Sequence, residues 1–284
     1  MSTKTIEILL VPYDVDRPDT PMARGARGLL ENGLPERLRE AGWEILITEI
    51  AAPGEVGKLA TVAGIARGIA EGVERAGAAG RFPLVLSGGC LASLGVVAGL
   101  QRRGHEVAAV WIDAHGDCNT PETSPSGYWD GMALASLCGL SLPEVREGLG
   151  SRPLDRSLDP GAVVHLAGRS FDPEEPGNFE RLGIVRVPPE GIAGEEARER
   201  LRRCAAGRSL YLHVDVDGID PRDAPAVGFP EPDGARLADL LGCREALPPA
   251  VAITLSALSF DRARPEEAAR TVEACARLVL AFVV

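Results

Sequence analysis

The sequence lacks the features that mark proteins that bind nucleic acid, span membranes or are secreted. Its net charge is −11 and no basic stretch offsets the acidic excess, which argues against a nucleic-acid or anionic-membrane partner. The apolar tail at residues 278–284 is far too short to span a bilayer. The N-terminal residues also lack a signal-peptide layout. We therefore expect a cytoplasmic protein.

Paired cysteine spacings are absent as well. In a chain of 284 residues without a signal peptide, scattered cysteines predict free thiols in a reducing compartment rather than a disulfide framework. The six cysteines are Cys90, Cys118, Cys138, Cys204, Cys243 and Cys275.

No long linker and no internal repeat divides the chain, which predicts one domain over residues 1–284. Apolar runs alternate with Ala- and Leu-rich segments of helical periodicity, which predicts an α/β fold of three layers around a mainly parallel sheet. The predicted strands are Ile6–Pro12, Trp43–Ile50, Pro83–Ser87, Val107–Ile112, Ala162–Ala167, Ile184–Val187, Ser209–Val214 and Val251–Leu255. The predicted helices are Ala23–Ala41, Val56–Ala79, Leu94–Arg103, Gly194–Ala206, Ala235–Ala246 and Pro265–Phe282.

Two acidic motifs follow two of the predicted strands. The first is Asp-Ala-His-Gly-Asp at residues 113–117, and the second is Asp-Val-Asp at residues 215–217. Side chains alternate along a strand, so the acidic residues and the histidine of each motif are expected to point the same way. Four carboxylates and an imidazole in one crevice repel each other strongly unless a cation lies between them. The pattern predicts a metal site, with room for two ions.

A third motif, Ser-Gly-Gly-Cys at residues 87–90, follows another predicted strand. This position places Cys90 at the start of a helix, where a helix N-terminus and a nearby cation both lower the pKa of a thiol. The motif is compatible with a metal-binding thiol and equally with a small buried cysteine after a Gly-Gly turn. The following segment, Asn119–Gly131, has no periodicity and predicts a loop over the site.

The order of these motifs resembles that of the arginase–agmatinase–formimidoylglutamase superfamily, the ureohydrolases. The resemblance includes Asp-Val-Asp-Gly-Ile-Asp-Pro at residues 215–221, the loop after Asn119, the segment Arg169–Glu175 and the last helix, and so covers nearly the whole chain. It implies the eight-stranded arginase fold and a homo-oligomer, a trimer or a hexamer.

The resemblance also implies a centre of two divalent ions, usually Mn²⁺, bridged by Asp113 and Asp215. His115 and Asp217 would complete one set of ligands, and Asp117 and Cys90 the other. Arginases have a histidine where this chain has Cys90, and an aspartate where it has Gly89. Some relatives that act on N-hydroxyarginine resemble this chain in having a cysteine there.

The residues that would contact the substrate follow from the same resemblance. Asn119 and Ser126 match residues that hold the α-carboxylate of an amino acid, and Asp172 and Glu175 match residues that hold its amino group. Asp117 would accept a hydrogen bond from the attacking hydroxide. These matches imply a small amino-acid-like substrate.

Three departures separate this chain from the arginase pattern. Asp130 takes the place of a proton-shuttling histidine and is the candidate catalytic residue there. Ser256, at the substrate position, replaces the glutamate that pairs with a guanidinium, and Val227 replaces a threonine. Loss of the glutamate removes a charge-assisted contact worth about 2–4 kcal/mol, which argues against ordinary arginine turnover. His213 lies on the same strand face as Asp215 and is expected to support a ligand rather than bind an ion.

The function that this pattern favours is metal-dependent hydrolysis of a C–N bond in a guanidino or amidino amino-acid derivative, including an N-hydroxyguanidine. One alternative is a metal-binding homologue with little or no catalysis. A second alternative keeps the hydrolase and changes the bond to a non-guanidine amide.

Overall fold

Each predicted strand is present in the computed structural model of the protein, which describes residues 4–52, 54, 57–149 and 157–283. The described strands are β1 (Thr5–Val11), β2 (Glu44–Glu49), β3 (Phe82–Ser87), β4 (Val107–Ile112), β5 (Val163–Leu166), β6 (Val185–Val187), β7 (Ser209–Asp215) and β8 (Ala250–Ser256).

These strands form one sheet in the order β2-β1-β3-β8-β7-β4-β5-β6, and every described pairing is parallel. Successive side chains enter two separate apolar clusters: Ile8 and Val110 belong to one, Leu9 and Trp111 to the other. A parallel sheet buried on both faces explains why the strands are apolar almost throughout. The predicted three-layer α/β/α fold is confirmed. The single-domain organisation stays a prediction, although the sheet takes strands from both ends of the chain.

Helices cover the two faces of the sheet. Counted along the chain, the first, second, eighth, ninth and tenth α-helices pack in the cluster that contains Ile8 and Val110. The third to seventh α-helices pack in the cluster that contains Leu9 and Trp111. The described α-helices are α1 (Pro21–Glu31), α2 (Leu34–Glu40), α3 (Lys58–Ala78), α4 (Ala92–Arg102), α5 (Ala133–Leu137), α6 (Pro143–Glu147), α7 (Glu175–Leu182), α8 (Glu195–Ala205), α9 (Leu237–Gly242) and α10 (Pro265–Phe282). None in the described part of the chain combines the length and hydropathy needed to cross a bilayer.

Two predicted helices differ from those in the structure. The helix predicted over residues 23–41 is two helices, because Gly33 adopts a left-handed conformation with φ of 99° and redirects the chain before α2. The helix predicted over residues 235–246 is α9 followed by a 3-10 turn at Cys243–Ala246. Val56, where the second predicted helix begins, lies outside the described residues.

The sheet order decides where the functional motifs meet. Strands β3, β8, β7 and β4 are consecutive neighbours, and parallel strands present their carboxyl ends at the same edge. The motifs after β3, β4 and β7 therefore lie side by side, with the end of β8 between two of them. Ligands of open α/β sheets bind at this edge.

Close packing of α1 against the segment after β8 generates a stability prediction. A Cβ added at Gly25 would lie 1.8 Å from the carbonyl oxygen of Leu258, so Gly25→Ala must push backbone apart. We expect a loss of about 1–3 kcal/mol in the free energy of unfolding, measured by urea denaturation. Gly177→Ala in α7 is the matched control, because no atom lies within 4 Å of its added Cβ. Equal midpoints for the two variants would contradict this packing argument.

Candidate metal centre

The first set of candidate ligands joins the two acidic motifs. Oxygen and nitrogen atoms of Asp113, His115 and Asp217 all lie within 4.8 Å of one another. His115 Nδ1 is 3.3 Å from Asp217 Oδ2 and 3.6 Å from Asp113 Oδ1. Two carboxylates and an imidazole are ligands that Mn²⁺ and similar divalent ions accept.

A second set shares Asp113 with the first. Ligand atoms of Cys90, Asp113 and Asp117 also lie within 4.8 Å of one another. Asp117 has a positive φ of 50°, an uncommon conformation for a residue other than glycine. Its buried Oδ2 has no hydrogen-bond partner among the described residues, as expected of an atom that a cation would satisfy. Two overlapping sets with one shared carboxylate suit a dinuclear centre.

Asp215, the first residue of the second acidic motif, contacts the Cys90 thiol. Its Oδ2 accepts from Cys90 Sγ at 3.1 Å, and its Oδ1 accepts from the backbone N–H of Asp217 at 3.1 Å. It is absent from both close sets within the part of the chain that the structure describes. The bridging position predicted for Asp113 is thus compatible with the geometry, whereas the one predicted for Asp215 stays a prediction.

The carboxylates of the site are electrostatically unfavourable without a cation. Burial, followed by the neighbouring carboxylates, raises the pKa of Asp117 and that of Asp215 well above the ordinary value. Burial opposes protonation of His115, but Asp113 and Asp217 outweigh it and raise the pKa of His115 to about 12. A bound divalent cation would remove this mutual repulsion. The residues present therefore fit a metal centre.

Cys90 follows β3 and lies just before α4. Its side chain is buried, and burial, followed by the Asp215 carboxylate, raises the pKa of the thiol well above its ordinary value. The helix N-terminus therefore does not make this thiol acidic by itself. A cation in contact with the sulfur would favour the thiolate.

A cavity of about 480 Å³ is lined by all of these candidate ligands except Asp113: Cys90, His115, Asp117, Asp215 and Asp217. The same cavity is lined by residues predicted to contact the substrate: Asn119, Ser126, Asp172 and Glu175. Asn119 Nδ2 donates to Asp172 Oδ2 at 2.8 Å, and the Glu175 carboxylate accepts from the N–H groups of Cys118 and Asp172. Ser126 is exposed on the loop above.

Comparison with known proteins identifies the family. The model of the arginase family matches residues 5–283. The chain belongs to the arginase family. It is accordingly a hydrolase of the ureohydrolase type, with residues suited to a metal centre.

Individual relatives agree with this assignment. The arginase of Bacillus caldovelox is 32% identical over 254 residues, which cover 80% of each chain. The crystal structure of Bacillus cereus arginase has a TM-score of 0.85 and 26% identity, and the match covers 97% of this chain and 98% of that one. Proclavaminate amidino hydrolase of Streptomyces clavuligerus shares the fold with a TM-score of 0.70, at 18% identity over 99% of this chain and 92% of that one.

The position of Asp130 in this arginase-family chain differs from that of a free proton shuttle. It lines the cavity, but its Oδ2 accepts from the N–H of Cys90 and its Oδ1 from that of Leu91, both at 2.9 Å. Burial raises the pKa of Asp130 and the two N–H groups lower it. Burial is the larger effect, so the pKa is about 6. Its carboxylate occupies the space beside Gly89, where an added Cβ would lie 2.5–2.8 Å from it. Asp130 therefore stabilises the turn that carries Cys90, and its catalytic role stays a prediction.

Ser256 and His213 lie behind the ligands rather than on the cavity. Both are fully buried, and Ser256 Oγ is 3.4 Å from Cys90 Sγ. Its hydroxyl therefore faces a candidate ligand, and the substrate role of Ser256 stays a prediction. Burial lowers the pKa of His213 to about 3, so the ring is neutral, and its support of a metal ligand stays a prediction.

Sequence reasoning missed other residues that shape this site. Arg17 and Phe229 line the cavity, and Trp111 Nε1 donates to Asp113 Oδ2 at 3.0 Å. Arg17 is far in sequence from every motif, and Phe229 follows the motif at residues 215–221 without any local signal of its own. Trp111 lies two residues before Asp113, and therefore on the same strand face, which could have identified it.

The close approach of Gly89 and Asp130 can be tested by a double-mutant cycle. Gly89→Ala should displace the Asp130 carboxylate and cost about 1–3 kcal/mol of stability in metal-free protein, because two backbone N–H groups lose a charged acceptor. In an Asp130→Ala background the space is open, so the same change should cost much less. Urea denaturation of the four proteins measures the coupling. Additive effects would show that the carboxylate does not occupy this space.

Proposed function

We propose that the protein is a dinuclear metal hydrolase that cleaves a C–N bond of a guanidino or amidino amino-acid derivative, and that it prefers an N-hydroxyguanidine to arginine. The observation that carries this proposal is the pair of ligand sets sharing Asp113, in a cavity that residues suited to an amino acid also line.

The two groups of neighbouring ligand atoms support a centre of two ions, for which Mn²⁺ is our choice from the family resemblance. Cys90, Asp113 and Asp117 would hold one, and Asp113, His115 and Asp217 the other. When bound, such ions supply Lewis acidity that activates water as a nucleophile at neutral pH. Asp215 would be a second shared carboxylate.

The remaining residues orient the reactants. Asp117, whose Oδ2 has no hydrogen-bond partner among the described residues, would accept a hydrogen bond from the nucleophile. Asp172 and Glu175 supply negative charge where an α-amino group would lie, and Asn119 and Ser126 supply polar groups for the α-carboxylate. Holding the two groups on the α-carbon fixes that end of the substrate and converts binding energy into alignment of the reacting carbon.

The substrate preference follows from the absence of a carboxylate at the position of Ser256. A guanidinium carries a full charge, and removing that charge from water costs free energy. The Ser256 hydroxyl, which faces Cys90, does not offset this cost. An N-hydroxyguanidine is less basic than a guanidine, so its entry into the cavity costs less desolvation free energy. The intact ligand sets argue against a homologue without catalysis.

Other properties stay predictions: a cytoplasmic location, assembly into a homo-oligomer (trimer or hexamer), and the lack of nucleic-acid and membrane partners. Hydrolysis of a non-guanidine amide is the alternative that a substrate screen would reveal.

The metal centre predicts two ions per chain, one of which depends on Cys90. Elemental analysis after dialysis against Mn²⁺ should give two ions for the wild type. In Cys90→Ser one of them should bind at least about tenfold more weakly, because a metal site without its thiolate loses a charged ligand. Cys90→His should restore tight binding.

Cys275→Ser is the matched control, because that thiol is also fully buried but lies in α10, away from the site. Two tightly bound ions in both serine variants would contradict the assignment of Cys90 as a ligand. Less than one ion in the wild type would contradict the dinuclear centre.

The substrate preference predicts that kcat/KM for N-hydroxyarginine exceeds that for arginine by at least about tenfold, equivalent to about 1.4 kcal/mol of transition-state stabilisation. Both rates are measured with Mn²⁺-loaded protein by urea release. Asp172→Asn should lower kcat/KM for both compounds, because it weakens recognition of their common α-amino group. Efficient arginine hydrolysis by the wild type would overturn the preference while leaving the hydrolase intact.

A further inference from the structure

A chain of buried polar side chains leads from the sheet interior to the Cys90 sulfur. Thr254 Oγ1 is 2.8 Å from the Tyr211 hydroxyl, which is 3.2 Å from His213 Nδ1. His213 Nε2 is 3.5 Å from Ser256 Oγ, which in turn lies 3.4 Å from Cys90 Sγ. These five side chains are all essentially inaccessible to solvent, so each polar atom depends on its neighbour in the chain.

The sheet register holds these groups in line. His213 pairs with Thr254, and Asp215 with Ser256, on the adjacent parallel strands β7 and β8. The His213 ring is stacked on Trp111, with ring centroids 3.6 Å apart and an interplanar angle of 19°. The imidazole therefore cannot rotate freely, and its two nitrogens face Tyr211 and Ser256.

One direction of donation satisfies every member of the chain. A neutral imidazole has one donor and one acceptor nitrogen. Thr254 can donate to Tyr211, Tyr211 to His213 Nδ1, and His213 Nε2 to Ser256 Oγ. The serine hydroxyl then has its own proton left for an acceptor.

Two acceptors lie within reach of that proton. They are Cys90 Sγ and the carbonyl oxygen of Val214, each 3.4 Å from Ser256 Oγ. A metal-bound cysteine is a thiolate, and a hydrogen bond to a charged acceptor is about twice as strong as one to a neutral acceptor. Donation to sulfur is therefore favoured once the centre is loaded.

We propose that Ser256 is a positioning residue for the Cys90 ligand: it donates a hydrogen bond to the metal-bound sulfur and is itself oriented by His213, Tyr211 and Thr254. The inference rests on the proposed function, because it requires Cys90 to be a ligand. Such a bond withdraws charge from a soft thiolate and fixes its direction, and partners of this kind typically change metal affinity by about 10–100-fold.

Cobalt(II) is the probe, since a thiolate ligand gives it a charge-transfer absorption that reports directly on sulfur. Wild-type protein loaded with Co²⁺ should show this absorption, and Cys90→Ala should lack it. Ser256→Ala should keep the absorption but move it to longer wavelength, because a sulfur without its hydrogen bond is easier to oxidise. The ion that Cys90 binds should dissociate about tenfold more readily, because loss of the fixed sulfur direction outweighs the gain in thiolate basicity.

Two further variants separate positioning from general damage to the fold. Tyr211→Phe removes only a hydroxyl and should move the absorption in the same direction by a smaller amount. Ser136→Ala removes another fully buried serine hydroxyl, which bonds the carbonyl oxygen of Met132, and should leave the absorption unchanged.

The outcomes distinguish this inference from the proposed function. A wild-type thiolate absorption that neither Ser256→Ala nor Tyr211→Phe shifts, with unchanged affinity, overturns the positioning role alone. Two bound ions without any thiolate absorption remove Cys90 from the centre and overturn the inference with it. Failure of the wild type to bind Co²⁺ or Mn²⁺ overturns the proposed centre as a whole.

Discussion

Repulsion among buried carboxylates is the constraint on which the rest of this site depends. Asp113, Asp117, Asp215 and Asp217 are almost fully withdrawn from water at one edge of the sheet, where Asp113 disfavours ionisation of the other three. His115 compensates part of this charge, since it lies within 4 Å of both Asp113 and Asp217. Bound cations would compensate the remaining negative charge. The stability of this edge and its chemistry are therefore coupled, as in other proteins whose ligands meet only in the folded state.

Buried side chains around the carboxylates orient the candidate ligands. Trp111 donates to Asp113 and stacks on His213, so one aromatic ring orients the candidate shared ligand and supports a neutral histidine. On the other side, Asp130 accepts from two backbone N–H groups at the start of α4 and holds the turn of Cys90. Ligands held by buried partners of this kind lose little freedom when an ion binds.

Much of this arrangement could be predicted from local sequence. The eight strands follow from apolar runs, and the helix predicted over Pro265–Phe282 has the bounds of α10, because its amphipathic pattern and its proline start are local features. The short helices α5, α6 and α7 were missed. Segments of five to eight residues contain too few turns for periodicity to be recognised, and tertiary packing stabilises them.

The sequence by itself determined which residues have metal-binding chemistry and that they follow strands, since both properties belong to short segments. Tertiary structure alone decided their partners. The neighbour order β3-β8-β7-β4 brings Ser256 to Cys90 across 166 positions of sequence, and the fold brings Asp130 to the Cys90 backbone across 40. No local pattern encodes such contacts, because they depend on which strands pair and on space left by a glycine. The sequence therefore predicts a substrate role for Ser256, whereas the fold places its hydroxyl against the candidate ligand Cys90.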